Sequence, residues 1–321
     1  MTKGSTVIDL INESKKPLFT FELLPPLKGH SLDRIYHTIE SLLEYAPAYI
    51  NFTSHRNEEV LSTRADGLLE RRVTRKRPGT VALAAAVKYK YNVNVVPHIL
   101  CGGFTKEETE NALIEMNFLG INDVLALRGD PPRGSRVFMP SPEGHRNTNE
   151  LVQQITDMNG GHYLDQELKN TTPTSFCVGV AGYPEKHFEA PNMNSDLVNL
   201  KRKVEAGACY IVTQMFFDNG KFYAFRDAVR AMGITVPVIP GIKPVSAMTD
   251  VSLLPQIFHI DMPEELVHEL SKCRSDEEAR EVGIEWSAMQ SRDLLKNEVP
   301  GIHFYTLGRS DNIARIVKAS Y

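Results

Sequence analysis

Three polar side chains stand where apolar runs stop, and each is of a type that does chemistry in such a place. Glu22 closes Leu18-Phe19-Thr20-Phe21 and leads into Leu23-Leu24-Pro25-Pro26. Asp130 follows Asp123-Val124-Leu125-Ala126-Leu127-Arg128-Gly129 and precedes Pro131-Pro132, and Gln214 closes Tyr210-Ile211-Val212-Thr213. A carboxyl group walled by apolar residues disfavours its charged form, which suits a general acid. A carboxamide offers donor and acceptor together and can match the paired edge of a planar heterocycle. Met215-Phe216-Phe217, next along the chain, could wall such a ring by stacking. Plainer readings stand beside these: Glu22 as an exposed loop residue, Asp130 as a turn residue paired with Arg128, Gln214 as a strand cap.

Other candidates are basic or aromatic. His98 follows Pro97 in an apolar run and reads either as a satisfied core histidine or as a ligand. His187, in Gly182-Tyr183-Pro184-Glu185-Lys186-His187, sits on a loop beside a tyrosine able to stack. Lys201-Arg202-Lys203 lies on a helix, where adjacent residues point in different directions, so at least one of the three should turn toward the strand ends, a solvated basic face being the plainer reading. The chain has neither H-E-x-x-H nor C-x-x-C spacing, and no catalytic metal is expected. It has no serine elbow and no Walker loop either.

Such side chains act together only if a scaffold brings the strand ends to one place. Strand-like runs at 18–23, 48–53, 93–100, 123–127, 176–181, 210–214, 236–240 and 302–307 alternate with helical spacing at 32–45, 105–119, 149–158, 195–206, 221–232 and 276–296. Thr105 with Glu108, and Ser275 with Glu278, read as capping boxes. Gly120 and Gly207 end helices just before strands. Eight strands alternating with helices predict an α/β fold, a (β/α)8 TIM-type barrel whose site lies at the strands' C-terminal ends. A doubly wound open sheet is the rival, disfavoured because no G-x-G-x-x-G follows an early strand. The expectation is a single domain over 1–321 with its barrel core at about 18–309. Extra helices fill 240–302, and a Pro/Gly-rich insertion at 131–147 follows the fourth strand.

Composition excludes more than it selects. A net charge of -4 gives no reason to expect nucleic acid or an anionic membrane as partner. The basic run Arg71-Arg72-Val73-Thr74-Arg75-Lys76-Arg77 reads as a solvated helix end. Cys101, Cys177, Cys209 and Cys273 are scattered, which suggests small buried hydrophobes rather than a disulfide framework. Met1-Thr2-Lys3-Gly4-Ser5 lacks the apolar core of a signal peptide, and no run approaches a membrane span, so the cytoplasm is the expected location.

Taken in order, the motifs Phe19-Thr20-Phe21-Glu22-Leu23-Leu24-Pro25-Pro26, Pro97-His98-Ile99, Ala126-Leu127-Arg128-Gly129-Asp130 and Gly182-Tyr183-Pro184-Glu185-Lys186-His187 carry a resemblance. Asp196 to Lys203, Ala206-Gly207-Ala208, Thr213 to Asp218, Ile239-Pro240-Gly241-Ile242 and His303-Phe304-Tyr305-Thr306-Leu307 extend it nearly to the chain's end. The set resembles the 5,10-methylenetetrahydrofolate reductase family, in its compact catalytic-barrel form. That resemblance implies a cytoplasmic flavoprotein of one-carbon metabolism, using FAD and NADH or NADPH, with NADH favoured. By ping-pong hydride transfer it would make 5-methyltetrahydrofolate, a methyl source for methionine. It implies small-molecule partners only and a homo-oligomer joined through outer helices.

Carried over by position, Glu22 is the general acid and Asp130 a charged neighbour of flavin and pterin, both catalytic. Thr53, His98, Arg128, Gly129, Asp130, Tyr183, His187, Asp196 and Lys203 match FAD positions, with Lys203 and His187 suited to the diphosphate and ribose. Glu22, Asp130, Gln214, Leu307 and Arg309 match the folate site, Arg309 facing the carboxylate tail. The chain departs from the family pattern at Leu23-Leu24 and near Leu254, where aromatics are usual, at Thr148 in place of alanine, and in the longer segment 133–147. A non-catalytic folate- or flavin-binding barrel and a proline-oxidising flavin barrel are the alternatives.

Overall fold

The computed structural model describes residues 5–56, 58–131, 135, 137–306 and 309–321. The first third of the chain runs α1 (Val7–Glu13), β1 (Leu18–Leu23), α2 (Asp33–Glu40), β2 (Tyr49–Phe52), β3 (Glu58–Thr63), β4 (Leu69–Thr74), α3 (Thr80–Tyr91) and β5 (Asn94–Leu100). There follow α4 (Lys106–Phe118), β6 (Asp123–Leu127), α5 (Thr148–Asn159), β7 (Cys177–Gly182), α6 (Met193–Glu205), β8 (Tyr210–Met215) and α7 (Asn219–Ala231). The remainder is β9 (Val238–Ile242), α8 (Asp250–Phe258), α9 (Glu264–Ser271), α10 (Asp276–Lys296), β10 (Gly301–Tyr305) and α11 (Ser310–Ser320). Eight strands close a parallel barrel in the order β1-β10-β9-β8-β7-β6-β5-β2, so the open-sheet rival falls.

Alternation along each strand decides what faces inward. On β1, Phe19, Phe21 and Leu23 join the large cluster packed under the helices, while Leu18 joins a separate cluster inside the barrel. Thr20 and Glu22 therefore point inward with Leu18. The floor of the interior is apolar, built from Leu18, Tyr49, Val96, Leu125, Tyr210, Val212 and Ile239, and α1 packs Val7, Ile8, Leu10 and Ile11 against it. Burying each such side chain is worth about 1.5–3 kcal/mol. The residues one register step above the floor are polar, which an apolar core alone would not select.

The two expected caps differ in detail. Thr105 and Glu108 make the full reciprocal box of α4. Ser275 accepts the Glu278 N–H, but the Glu278 carboxylate returns to the N–H of Arg274 instead of Ser275. The basic run at 71–77 is corrected: Leu69–Thr74 is the second strand of an antiparallel hairpin with Glu58–Thr63, and the next helix begins only at Thr80. Its signal was Asp66-Gly67, a turn pair whose Gly67 takes the left-handed region at φ +79°. Charge pattern alone cannot reveal a strand whose ladder partner lies in another segment.

Candidate functional site

The inward positions of β1, β2, β5 and β10 supply Thr20, Glu22, Asn51, His98 and His303, each buried. His98 Nε2 and His303 Nε2 lie 3.8 and 3.7 Å from Glu22 Oε2, too long for hydrogen bonds but close enough for a proton carrier between them. Thr20 Oγ1 holds His303 Nδ1 at 3.0 Å, and the Asn51 amide holds His98 Nε2 at 3.2 Å. The Thr306 hydroxyl donates to the main-chain carbonyl of Glu22 at 2.7 Å, fixing the strand beneath the carboxyl. Burial pushes His98 down to about 4, and the neighbouring His303 adds to this, against the pull of Glu22. His98 is therefore a neutral imidazole. His303 Nε2 and Asn51 Oδ1 have no hydrogen-bond partner although both are buried. Leaving such atoms unmatched costs about 1–3 kcal/mol each, and a fold tolerates that where the atoms serve another purpose.

A second group gathers at the ends of β6 and β7. Arg128 pairs with Glu189 at 2.5 Å, not with Asp130, and its guanidinium lies 4.7 Å from the centre of the Phe138 ring. Gly129 takes φ +85°, the turn that lets the chain leave β6 sharply. Tyr183 meets His187 edge-on at 4.8 Å, and the His187 N–H donates to Asp196 at 2.8 Å. Lys203 is the member of the basic helical triplet that turns inward: its Nζ donates to the Ala181 carbonyl at 3.0 Å. Part of its stem meets solvent, but its ammonium is enclosed, and burial lowers it to about 8 against the opposing pull of Asp196. Burial likewise lowers His187 to about 4, with Arg128 adding to the effect. Arg128 and Lys203 thus both disfavour a charge on His187, and Arg128 disfavours the one on Lys203.

The other candidates are more dispersed. Asp130 is exposed, its main-chain oxygen accepts from Arg56 at 3.3 Å, and its charge reaches Tyr183. Thr53 contacts His55 Nε2 at 3.1 Å. Gln214 is half-buried and folds its Oε1 back onto the Met215 N–H at 2.9 Å. Arg309 donates to the Ser246 carbonyl at 3.3 Å, while Leu307 lies outside the described residues.

Sequence reasoning gave no role to Thr20, Asn51, His303 or Lys243. The first three were legible in principle, as polar residues at inward parity on strands otherwise apolar. Lys243, buried just beyond β9, pairs with Asp250 Oδ2 at 3.3 Å, and Asp250 also accepts the Ser246 N–H at 2.8 Å. That ion pair fastens the loop between β9 and α8, and burial lowers the lysine despite it. Among the described residues no helix is long and apolar enough to cross a membrane, and no cluster of His, Cys, Asp and Glu could hold a metal ion.

The family model for methylenetetrahydrofolate reductase matches residues 7–321. The 5,10-methylenetetrahydrofolate reductase of Escherichia coli is 29% identical over 293 residues, covering 91% of this chain and 86% of the relative. A probable methylenetetrahydrofolate reductase (NADPH) of Caenorhabditis elegans is 27% identical over 314 residues, and methylenetetrahydrofolate reductase (NADH) 1 of Arabidopsis thaliana 29% over 310. The chain covers only 43% and 48% of those two, so it spans about half the length of such relatives. Among solved structures, a Clostridium thermocellum protein that binds two copies of 5-methyl-5,6,7,8-tetrahydrofolic acid superposes with a TM-score of 0.59 at 12% identity. It covers 98% of both chains, a likeness of fold.

Proposed function

The chain belongs to the methylenetetrahydrofolate reductase family, and on that premise we propose that it reduces 5,10-methylenetetrahydrofolate to 5-methyltetrahydrofolate, with NADH or NADPH as donor and FAD as carrier in a ping-pong sequence. The observation that carries this reading is Glu22, a buried carboxyl at a barrel strand end flanked by two imidazoles. Glu22 donates a proton to the substrate nitrogen whose bond to the methylene bridge breaks, opening the five-membered ring to an iminium. His303 is placed to return a proton to Glu22 through its unpartnered Nε2, with Thr20 steadying the other ring nitrogen. Neutral His98 adds no positive charge that would hold Glu22 as a carboxylate. Asp130 sets negative charge at the rim, which favours a cationic iminium. Gln214 turns its amide from Met215 to the pterin edge, and Arg309 takes the substrate's carboxylate tail, Leu307 being carried with the folate set by sequence position alone.

The residues fit FAD by their charge. Lys203 and Arg128 bring two cationic heads to one region beside the His187 imidazole, and burial disfavours the Lys203 ammonium more than Asp196 favours it, so an anionic diphosphate would find favourable charge there. Tyr183 offers a ring to stack, Asp196 fixes the His187 loop, and Thr53, His98, Gly129 and Asp130 complete the binding set. When bound there, FAD would supply the hydride-carrying chemistry between nicotinamide and substrate. No metal is required, and association through outer helices into a homo-oligomer completes the reading.

Glu22→Gln tests it. Reduction of methylenetetrahydrofolate should fall by about 10²–10⁴-fold, the usual worth of a positioned acid. Reduction of the bound flavin by NADH should stay within a few-fold of wild type. Normal folate turnover in this variant would remove Glu22 from the acid's role.

A further inference from the structure

Far from that site, at the N-terminal ends of β6, β7 and β8, three reactive side chains stand in a row. Asp123 and Cys177 are direct register partners on neighbouring strands. Cys209 lies one strand further on, its N–H donating to the Val178 carbonyl at 2.7 Å, which continues the β7–β8 ladder by one residue. Cys177 is buried, Cys209 is half-buried with its Sγ 3.6 Å from the Gly207 carbonyl oxygen, and both belong to the cluster at the barrel floor beneath α1. The β7–β8 register begins at Gly179 and Tyr210; carried back it sets Cys209 opposite Val178, one residue from Cys177, yet the Cys209 side chain packs on the same cluster that holds Cys177. Strands about 4.8 Å apart with a rise of about 3.3 Å place the two Cα atoms about 6 Å apart. That falls within the roughly 4.4–6.8 Å Cα separation of disulfides.

We propose that Cys177 and Cys209 are a redox-sensitive pair that closes reversibly to a disulfide under a small-molecule disulfide oxidant. Access and acidity divide the roles. Cys209 is the more exposed sulfur, and the hydrogen bond from the Cys177 thiol lowers it while raising Cys177 itself. The Cys209 thiolate attacks one sulfur of the oxidant, breaking its S–S bond and releasing one thiolate that takes up a proton. Cys177 then loses its proton and attacks the Cys209 sulfur, expelling the second small thiol. Two protein thiols are oxidised and one external disulfide is reduced to two thiols. Asp123 is placed to take the Cys177 proton: it hydrogen-bonds that thiol, and burial raises it to about 7 despite the Val7 N–H it accepts at 2.9 Å. The link would tie off residues 178–208, the segment bearing Tyr183, His187, Asp196 and Lys203, yet it does not depend on what those residues bind.

The test is to incubate the whole protein with oxidised glutathione, unfold it in iodoacetamide and map it without reduction. Two of the chain's four cysteines should escape alkylation, and one peptide pair should join 177 to 209 and separate on dithiothreitol. Cys177→Ser should stop at a stable glutathione adduct on Cys209. Full alkylation of both residues in the wild type, or a glutathione adduct persisting on its Cys209, would overturn the proposal, and that readout stands even if the serine variant fails to fold.

Discussion

The acid role proposed for Glu22 asks that His98 beside it stay neutral, and the burial of that imidazole carries a cost in stability. An unperturbed imidazole titrates near 6.5, whereas burial holds His98 at about 4. Between those values the unfolded chain binds a proton that the native protein refuses, so stability rises with pH across this window and is lost as pH falls through it. At pH 5.0 the unfolded state gains about RT ln 30, or about 2 kcal/mol, from protonating this one residue, against about 0.1 kcal/mol at pH 7.5. His98→Gln removes the titration while retaining a polar side chain for the Asn51 amide. Urea unfolding of both proteins at the two pH values isolates the term. Between pH 7.5 and 5.0 the wild type should lose about 2 kcal/mol more than the variant. Equal losses would mean that native His98 takes up its proton as readily as the unfolded chain does. An imidazolium would then stand 3.8 Å from Glu22 wherever the pH falls below about 6.5, and the neutral His98 on which the proposed mechanism relies would be lost there.

Two further outcomes follow from other parts of the site. Lys203→Met removes the enclosed ammonium and one charge-assisted hydrogen bond to a diphosphate, about 1.5–3 kcal/mol. FAD titration should therefore show affinity about 10- to 150-fold weaker, and unchanged affinity would move the diphosphate elsewhere. Asp250→Asn leaves the buried Lys243 without its counter-charge, a loss of about 3–5 kcal/mol read as a lower urea midpoint. Because Arg309 bonds to the same loop, the KM for the folate should rise more than kcat falls, and an unchanged midpoint would mean that Lys243 finds another partner.

By itself the sequence determined the repeating unit and the strand ends. Period-two alternation over Leu18–Leu23 and the polar stops at Glu22, Asp130 and Gln214 are local properties, so the barrel and its rim were legible before any contact was known. The long α10 was equally plain, because 21 residues of helical spacing between a serine cap and a lysine end leave little choice. The hairpin at 58–74 was not read, since its strands are stabilised by each other rather than by their own pattern. Nor could spacing assign Arg128 to Glu189 in preference to Asp130, since those two carboxylates lie 59 residues apart along the chain. Only closure of β1 against β10 brought Glu22 beside His303, 281 residues away, and Thr20 to that histidine's other nitrogen. Side-chain parity is written in the chain two residues at a time. Which inward side chains share a layer depends on the stagger of the closed barrel, a property of the whole ring of strands and of no segment within it.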